Sequence, residues 1–456
     1  MKQPKKKVSS SIKPTSIIVM SFLVVIAIGA IILMMPFSSV SGEFTEPVTA
    51  VFTAVSATCV TGLTLVDTGV HYNLFGQIAI LLMIQIGGLG LVTFASFVNF
   101  ALRRKLELHT MKIATESVNS TGFSDVRGIV LGIVKFSLIA EIIGALLLAI
   151  AFVPRYGLAG IYQSIFLAIS GFCNAGFDIT SRVIPGGVSL RPYTDDPYVM
   201  IVISLMIIIG GLGYYVWTDI VNYKEKKKFS FMTKIVAITE LILLVFGAVF
   251  YIIGEWDNPN TIGNMNGFDK IINGGFLSVT MRTAGFINID PHELTNTSKM
   301  LSVLYMFIGC ASGSTGGGIK TNTFAVIVMT MVCVIRGKSE TVVFGRRIEK
   351  DAVYKSLTIM VMSTLVVAIT SLVLINTNPT YRFSALECAF ESASAFGTAG
   401  VPSGLTASLT LPSIVALCFS MIIGRVGPVT FAASLSIKNA KTTKNEIIPE
   451  GRIMVG

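Results

Sequence analysis

Charged side chains are scarce in this chain. Asp, Glu, Lys and Arg make up 13% of its 456 residues, about half of the roughly 25% usual in soluble domains, which excludes a compact domain solvated by water on every side. Histidine is scarcer still: His71, His109 and His292 lie far apart on connecting segments, so neither a metal cluster nor a catalytic dyad is predicted. A membrane enzyme would find no convergent His, Cys or carboxylate constellation here. The six cysteines, Cys59, Cys173, Cys310, Cys333, Cys388 and Cys418, sit in or beside apolar segments. Without the close spacing of a disulfide framework or a zinc site they read as small apolar fillers.

Apolar residues are what the chain has in plenty: 52% of the total, with a mean hydropathy of +0.75. A hydrocarbon layer about 30 Å thick is crossed by roughly 20 such residues in a helix. Eight segments qualify, 16–35, 74–102, 128–153, 197–218, 231–254, 300–335, 356–376 and 408–437. The first follows Lys2, Lys5, Lys6, Lys7 and Lys13. Its apolar run is too long for a signal-peptide core and lacks a small-residue cleavage site, so it reads as a retained anchor.

Orientation follows from the basic residues, because Lys and Arg stay on the cytoplasmic side of short loops. With an inside amino terminus, 25 of the 35 fall on the inner segments, including Arg103, Arg104, Lys105, Lys224, Lys226, Arg346, Arg347 and Lys438. Both termini are thus expected in the cytoplasm. The net charge of +10 is accounted for by this topology, with anionic lipid and not nucleic acid as its partner.

Between alternate spans the outer segment carries an apolar stretch of about a dozen residues, too short to cross. Each ends in a turn of mostly small residues: Thr58-Cys59-Val60-Thr61-Gly62, Phe172-Cys173-Asn174-Ala175-Gly176, Met281-Arg282-Thr283-Ala284-Gly285 and Phe396-Gly397-Thr398-Ala399-Gly400. The final glycines stand 114, 109 and 115 residues apart. Ten residues before three of them are Phe52, Phe166 and Phe390, while in the third repeat Phe276 comes one residue late. The second helix of each repeat has its own mark, Ile86-Gly87-Gly88-Leu89-Gly90, Ile209-Gly210-Gly211-Leu212-Gly213, Ile308-Gly309-Cys310-Ala311-Ser312-Gly313 and Ile423-Gly424-Arg425-Val426-Gly427, read as close helix packing.

The predicted fold class is therefore an all-α integral membrane protein of four parallel helix, pore-loop, helix repeats, eight spanning helices around a central pore with pseudo-four-fold symmetry. A basic cytoplasmic segment, 1–15, precedes repeats at 16–105, 128–222, 231–336 and 353–437, and a cytoplasmic tail, 438–456, follows. Non-helical backbone at membrane depth needs a watery cavity to face. Rings of backbone carbonyls replace the water that an alkali ion sheds, and four helix carboxyl ends aimed at one cavity favour a cation. Asp67, Asp178 and Asp290, just past the filter glycines, either form an acidic outer mouth or merely solvate outer loops.

These residues resemble the Trk, Ktr and HKT superfamily of cation transporters over nearly the whole chain, within it the bacterial Ktr membrane subunits. The resemblance implies a single-pore subunit with one filter glycine per repeat, here Gly62, Gly176, Gly285 and Gly400, and potassium permissiveness where the first is Gly instead of Ser. It also implies a homodimer and a cytosolic ring of nucleotide-binding, RCK-type regulatory subunits. K+ is the expected cargo, with Na+ as a possible activator and no organic cofactor on this chain.

In the third repeat the second helix is interrupted by Ala311-Ser312-Gly313-Ser314-Thr315-Gly316-Gly317-Gly318-Ile319-Lys320-Thr321, a run rich in helix breakers. It resembles the superfamily's intramembrane gate loop, set at 310–321, although a passive kink is the plain alternative. A phosphate-binding loop is the weaker reading, because Ile319 intrudes before the lysine and no strand precedes it. Arg425 is expected to face inward with a partner, either holding the loop and repelling cations or forming a structural ion pair. Lys320 either contributes or snorkels. Arg282 is expected to turn behind the filter toward Glu387 or Glu391, and Lys135, Glu141 and Glu240 to pair between helices. A conduit for potassium is the leading function. A sodium-coupled, alternating-access transporter is the rival, disfavoured because such proteins commonly use inverted repeats.

Overall fold

The computed structural model describes residues 14–90, 93, 94, 96, 126–378 and 383–435. The basic amino-terminal segment, the connection at 97–125 with His109, and the tail from 436 lie outside them. Among the described residues the regular structure is helical apart from a two-stranded ribbon pairing Val342–Val343 with Arg346–Arg347.

Four long apolar helices have lengths and compositions that fit a membrane crossing: α1 (Pro14–Met34), α4 (Val126–Tyr156), α8 (Phe231–Glu255) and α12 (Lys350–Thr377). Their outer faces are bare apolar side chains, such as Ile28 and Ile31 on α1, Leu146 and Ile150 on α4, Leu241 and Val245 on α8, and Leu365 and Ile369 on α12. Lipid is the solvent that makes such faces stable. The protein is a multi-pass membrane protein.

After each comes a shorter helix whose carboxyl end is buried: α2 (Pro47–Cys59), α5 (Leu158–Phe172), α9 (Gly267–Thr280) and α13 (Ala385–Gly397). Phe52, Phe166, Phe276 and Phe390 anchor these helices, each with no more than 1% of its surface exposed. The chain then turns and continues in α3 (Leu74–Leu89), α6 (Pro197–Leu212), α10 (Asn296–Phe307) and α14 (Leu411–Val426). Each of these second helices packs on the short helix of the next unit, α3 on α5, α6 on α9, α10 on α13, and α14 back on α2. The set of contacts therefore closes into a ring.

The uninterrupted runs predicted for 197–218 and 408–437 are instead bent. α6 and α7 (Tyr214–Val221) meet at 97°, and α14 and α15 (Pro428–Leu435) at 103°. The bends sit at Gly213 and Gly427, with φ of 82° and 93°. A residue with a side chain rarely takes that conformation, so the last Gly of each second-helix motif acts as a hinge point and not only as a packing surface. In the third unit the chain leaves α10 at Phe307 and re-enters a helix only at α11 (Thr321–Ile335).

Candidate functional site

The four turns share one backbone shape. Val60, Asn174, Thr283 and Thr398 adopt φ of 59°, 57°, 62° and 52°, and the glycines two residues on, Gly62, Gly176, Gly285 and Gly400, adopt 98°, 69°, 81° and 75°. A left-handed non-glycine residue costs roughly 1–2 kcal/mol, and it recurs here at four equivalent places, where surrounding hydrogen bonds compensate it.

Those bonds come from a column of hydroxyl residues at the ends of the short helices. The Thr61, Ala175 and Ala399 amides donate to the carbonyls of Ser56, Ser170 and Ser394 at 2.8 Å each, and the Ala284 amide to Thr280 at 3.1 Å. Side chains add to the clamp: Ser56 Oγ accepts from the Gly62 amide at 3.0 Å, and Ser170 Oγ and Thr280 Oγ1 donate to the Phe177 and Phe286 carbonyls at 2.6 Å. This column lies outside the motifs described above. Its signal is a hydroxyl six residues before the glycine in three repeats and five before it in the third, the same one-residue slip that displaces Phe276.

The glycines adjoin in a closed cycle. A Cβ on Gly62 would lie 2.6 Å from the Ala175 oxygen, one on Gly176 2.9 Å from that of Ala284, one on Gly285 2.8 Å from that of Ala399, and one on Gly400 1.8 Å from that of Thr61. Each glycine therefore stands against the carbonyl that precedes the next, and four peptide oxygens gather at one place. The hydroxyls of Thr58 and Thr61 are buried without a protein partner. Buried hydroxyls in that state are ordinarily satisfied by water or an ion.

Other parts of the turns face backward. Gly87, Gly210 and Gly424 sit so close to the Thr58, Phe172 and Phe396 carbonyls that a Cβ would approach to 2.0, 1.8 and 1.8 Å. Close packing is thus the role of these second-helix glycines. Cys59, Cys173, Met281 and Gly397 are buried in this back layer. Cys310, expected as an apolar filler, instead has its thiol 3.0 Å from Thr283 Oγ1.

Arg282 does turn behind its turn, but its partner corrects the expectation of Glu387 or Glu391. Both terminal nitrogens reach Glu240 on α8, with Nη2 at 3.0 Å, and Nη2 also donates to the Gly309 carbonyl at 3.2 Å. Glu391 is occupied elsewhere, accepting from the Ser403 amide at 2.7 Å and from Thr406. Glu387 closes a capping box at the start of α13 and lies 3.2 Å from His292. Glu141, on α4 behind the second turn, receives the Gln85 amide at 2.9 Å.

The three outer aspartates are not an open acidic ring. Asp67 accepts from the Gly69 amide at 2.8 Å and Ser181 Oγ at 2.6 Å, and Asp290 pairs with Arg191 at 3.2 Å. Asp178, beyond the second turn, accepts the Thr180 amide at 3.0 Å. Burial pushes its carboxyl up to about 6, with the nearby Asp67 charge adding to the effect.

The interrupted stretch of the third unit crosses beneath the turns. Its base is closed by the Gly309 amide on the Ile319 carbonyl at 2.8 Å and the Thr321 amide on Cys310 at 3.1 Å. From there it contacts the second and fourth units as well as the turn of its own. The Ala311 amide donates to Gly211 at 3.1 Å, the Gly317 amide to Thr398 Oγ1 at 3.0 Å, and the Gly318 amide to Gly424 at 3.2 Å. A Cβ on Gly316 would meet Thr283 Oγ1 at 2.4 Å. Arg425 donates to the Thr315 carbonyl and also to Gly87 and Gly88 on α3. Lys320 Nζ caps the Gly316 carbonyl at 2.5 Å. Ser312, Gly313 and Ser314 lie further in, where the Gly313 carbonyl receives the Tyr214 amide at 3.1 Å.

Comparison with known proteins adds a family model, described as a cation transport protein of the TrkH type, that matches residues 2–445. The chain is 38% identical to a potassium/sodium uptake protein, NtpJ, of Enterococcus hirae, covering 99% of both chains. It is also 38% identical to Ktr system potassium uptake protein B of Bacillus subtilis, covering 97% of each. Among solved structures, the potassium transporter TrkH from Vibrio parahaemolyticus superposes with a TM-score of 0.74 at 15% identity, over 95% of this chain and 87% of that one.

Proposed function

Because the chain belongs to the TrkH family of cation transport proteins, we propose that it is the ion-translocating subunit of a potassium uptake system, with the four turns as its filter and the 310–321 loop as its gate. One observation carries this reading, the closed cycle in which the Thr61, Ala175, Ala284 and Ala399 carbonyls meet at the four glycines. Carbonyl oxygens replace hydration water without the trapping that a fixed carboxylate would bring. The carboxyl ends of α2, α5, α9 and α13 aim at the same point and favour a cation there.

The gate assignment rests on position. The loop lies directly under the turns, is pinned by Arg425 to two other quadrants, and displaces only if those bonds break. The units at 16–105, 128–222, 231–336 and 353–437, both termini in the cytoplasm, and a bacterial plasma membrane belong to this reading. Relatives named as parts of a Ktr system support an accessory subunit, read here as a nucleotide-binding ring on the basic inner face of a homodimer. Sodium enters as an activator because one relative is named a potassium/sodium uptake protein.

The deciding experiment is potassium uptake by a potassium-requiring bacterium expressing Gly→Ser variants at Gly62, Gly176, Gly285 and Gly400. Preference for K+ over Na+ is expected to fall in at least one. Four unaffected variants would overturn the filter.

A further inference from the structure

On the inner side of the gate loop lies a chamber of about 630 Å³, within the roughly 300–1,000 Å³ range of small-molecule sites. Lys320, Lys355 and Arg425 are on its wall, and among the described residues that wall holds no Asp or Glu. Three helices also begin on it: α7 at Gly213, α11 at Lys320 and α15 at Gly427. Each start adds the positive end of a macrodipole to the side-chain charge. The carbonyls that receive Arg425 and Lys320 solvate them but carry no net charge, so the positive field of the chamber stays uncancelled. Ser314 contributes a buried hydroxyl without a protein partner.

The rest of the wall has a different character. Phe22 on α1, Ile133 and Phe136 on α4, and Ile359 on α12 add apolar surface to it. A halide would fill a small part of this volume. Lysines and helix starts arranged around a wider space are the usual partners of a phosphate group, and an oily wall beside them suits acyl chains.

We propose that this chamber binds a phosphate-bearing anion, held by Lys320, Lys355 and Arg425 in the added field of the helix starts. The source is either a free phosphate compound or the headgroup of an anionic phospholipid whose chains lie on the apolar wall. Occupancy would cancel the repulsion that Lys320 and Arg425 exert on a cation below the loop, so the anion and an open gate favour each other.

The test reads binding, which keeps its failure separate from failure of the transport reading. Thermal unfolding of the purified full-length protein is followed while inorganic phosphate, dihexanoyl phosphatidylglycerol or dihexanoyl phosphatidylcholine is added at constant ionic strength. A saturable rise of a few degrees is expected with a phosphate-bearing anion and not with the zwitterionic lipid. It should shrink in Lys320→Gln and in Lys355→Gln, the latter an exposed residue whose loss leaves the fold intact. A rise with inorganic phosphate assigns free phosphate, and a rise with phosphatidylglycerol alone assigns lipid. No rise, an equal rise with phosphatidylcholine, or a rise unchanged in both variants overturns the proposal.

Discussion

Arg282 and Glu240 form a buried two-pronged pair between the third turn and the helix behind it, with 3% and 7% of their side-chain surfaces exposed. A cation only three residues before Gly285 would repel K+ if it faced the axis. Glu240 draws it outward and cancels its charge, which leaves the peptide oxygens as what the third turn offers to an ion.

Removing one partner of a buried pair strands the other charge, at a cost of roughly 3–5 kcal/mol. Glu240→Gln is therefore expected to unfold more readily in detergent. The double variant Glu240→Leu with Arg282→Met should regain most of the loss. A double variant no more stable than the single one would show that the two residues are not energetically coupled.

Gly400 and Gly42 offer a matched comparison. Both have positive φ, 75° and 70°, but a Cβ on Gly400 strikes the Thr61 oxygen at 1.8 Å while one on Gly42 meets nothing within 4 Å. Gly42→Ala should cost only about 1 kcal/mol of backbone strain and leave rubidium uptake near wild type. Gly400→Ala should abolish uptake. Equal effects would remove the distinction between strain and occlusion.

Arg425 ties the 310–321 loop to α3 through Thr315, Gly87 and Gly88. Arg425→Ala is expected to raise resting potassium flux in proteoliposomes by about one to two orders of magnitude, since loss of charge-assisted hydrogen bonds worth roughly 1.5–3 kcal/mol shifts a two-state gate by that factor. Flux and regulation both unchanged would sink the gating role.

Burial pushes the Asp178 carboxyl up to about 6. It is charged above that pH and takes up a proton below it, so any attraction it exerts on a cation at the proposed filter is present at pH 7.5 and mostly lost by pH 5. The KM for external K+ is expected to rise about threefold across that interval, in keeping with local steering by a single charge. In Asp178→Asn the KM should be high at both pH values, and a variant that kept the wild-type pH profile would exclude Asp178 as the sensor.

The reach of the sequence is clearest at the turns. Small residues ending in Gly, and a Phe ten residues earlier, are local marks that survive in any arrangement of the chain, and the late Phe276 already signals a one-residue shortening that Thr280 shares. The bends at Gly213 and Gly427 are less legible. An apolar run with glycines suits a straight packed helix as well as a broken one, and at Gly213 the break lies where the 310–321 loop docks, with the Tyr214 amide on the Gly313 carbonyl.

Hydropathy and the spacing of short apolar stretches are enough to put this chain in a membrane and to single out the four glycines, because the cost of burying charge and unpaired backbone acts on each segment alone. The partners of Arg282, Arg425 and the outer aspartates are different in kind. They depend on which helices come to lie side by side once the ring closes, and Glu240, Glu387 and Glu391 are equivalent carboxylates until packing sets one of them within reach.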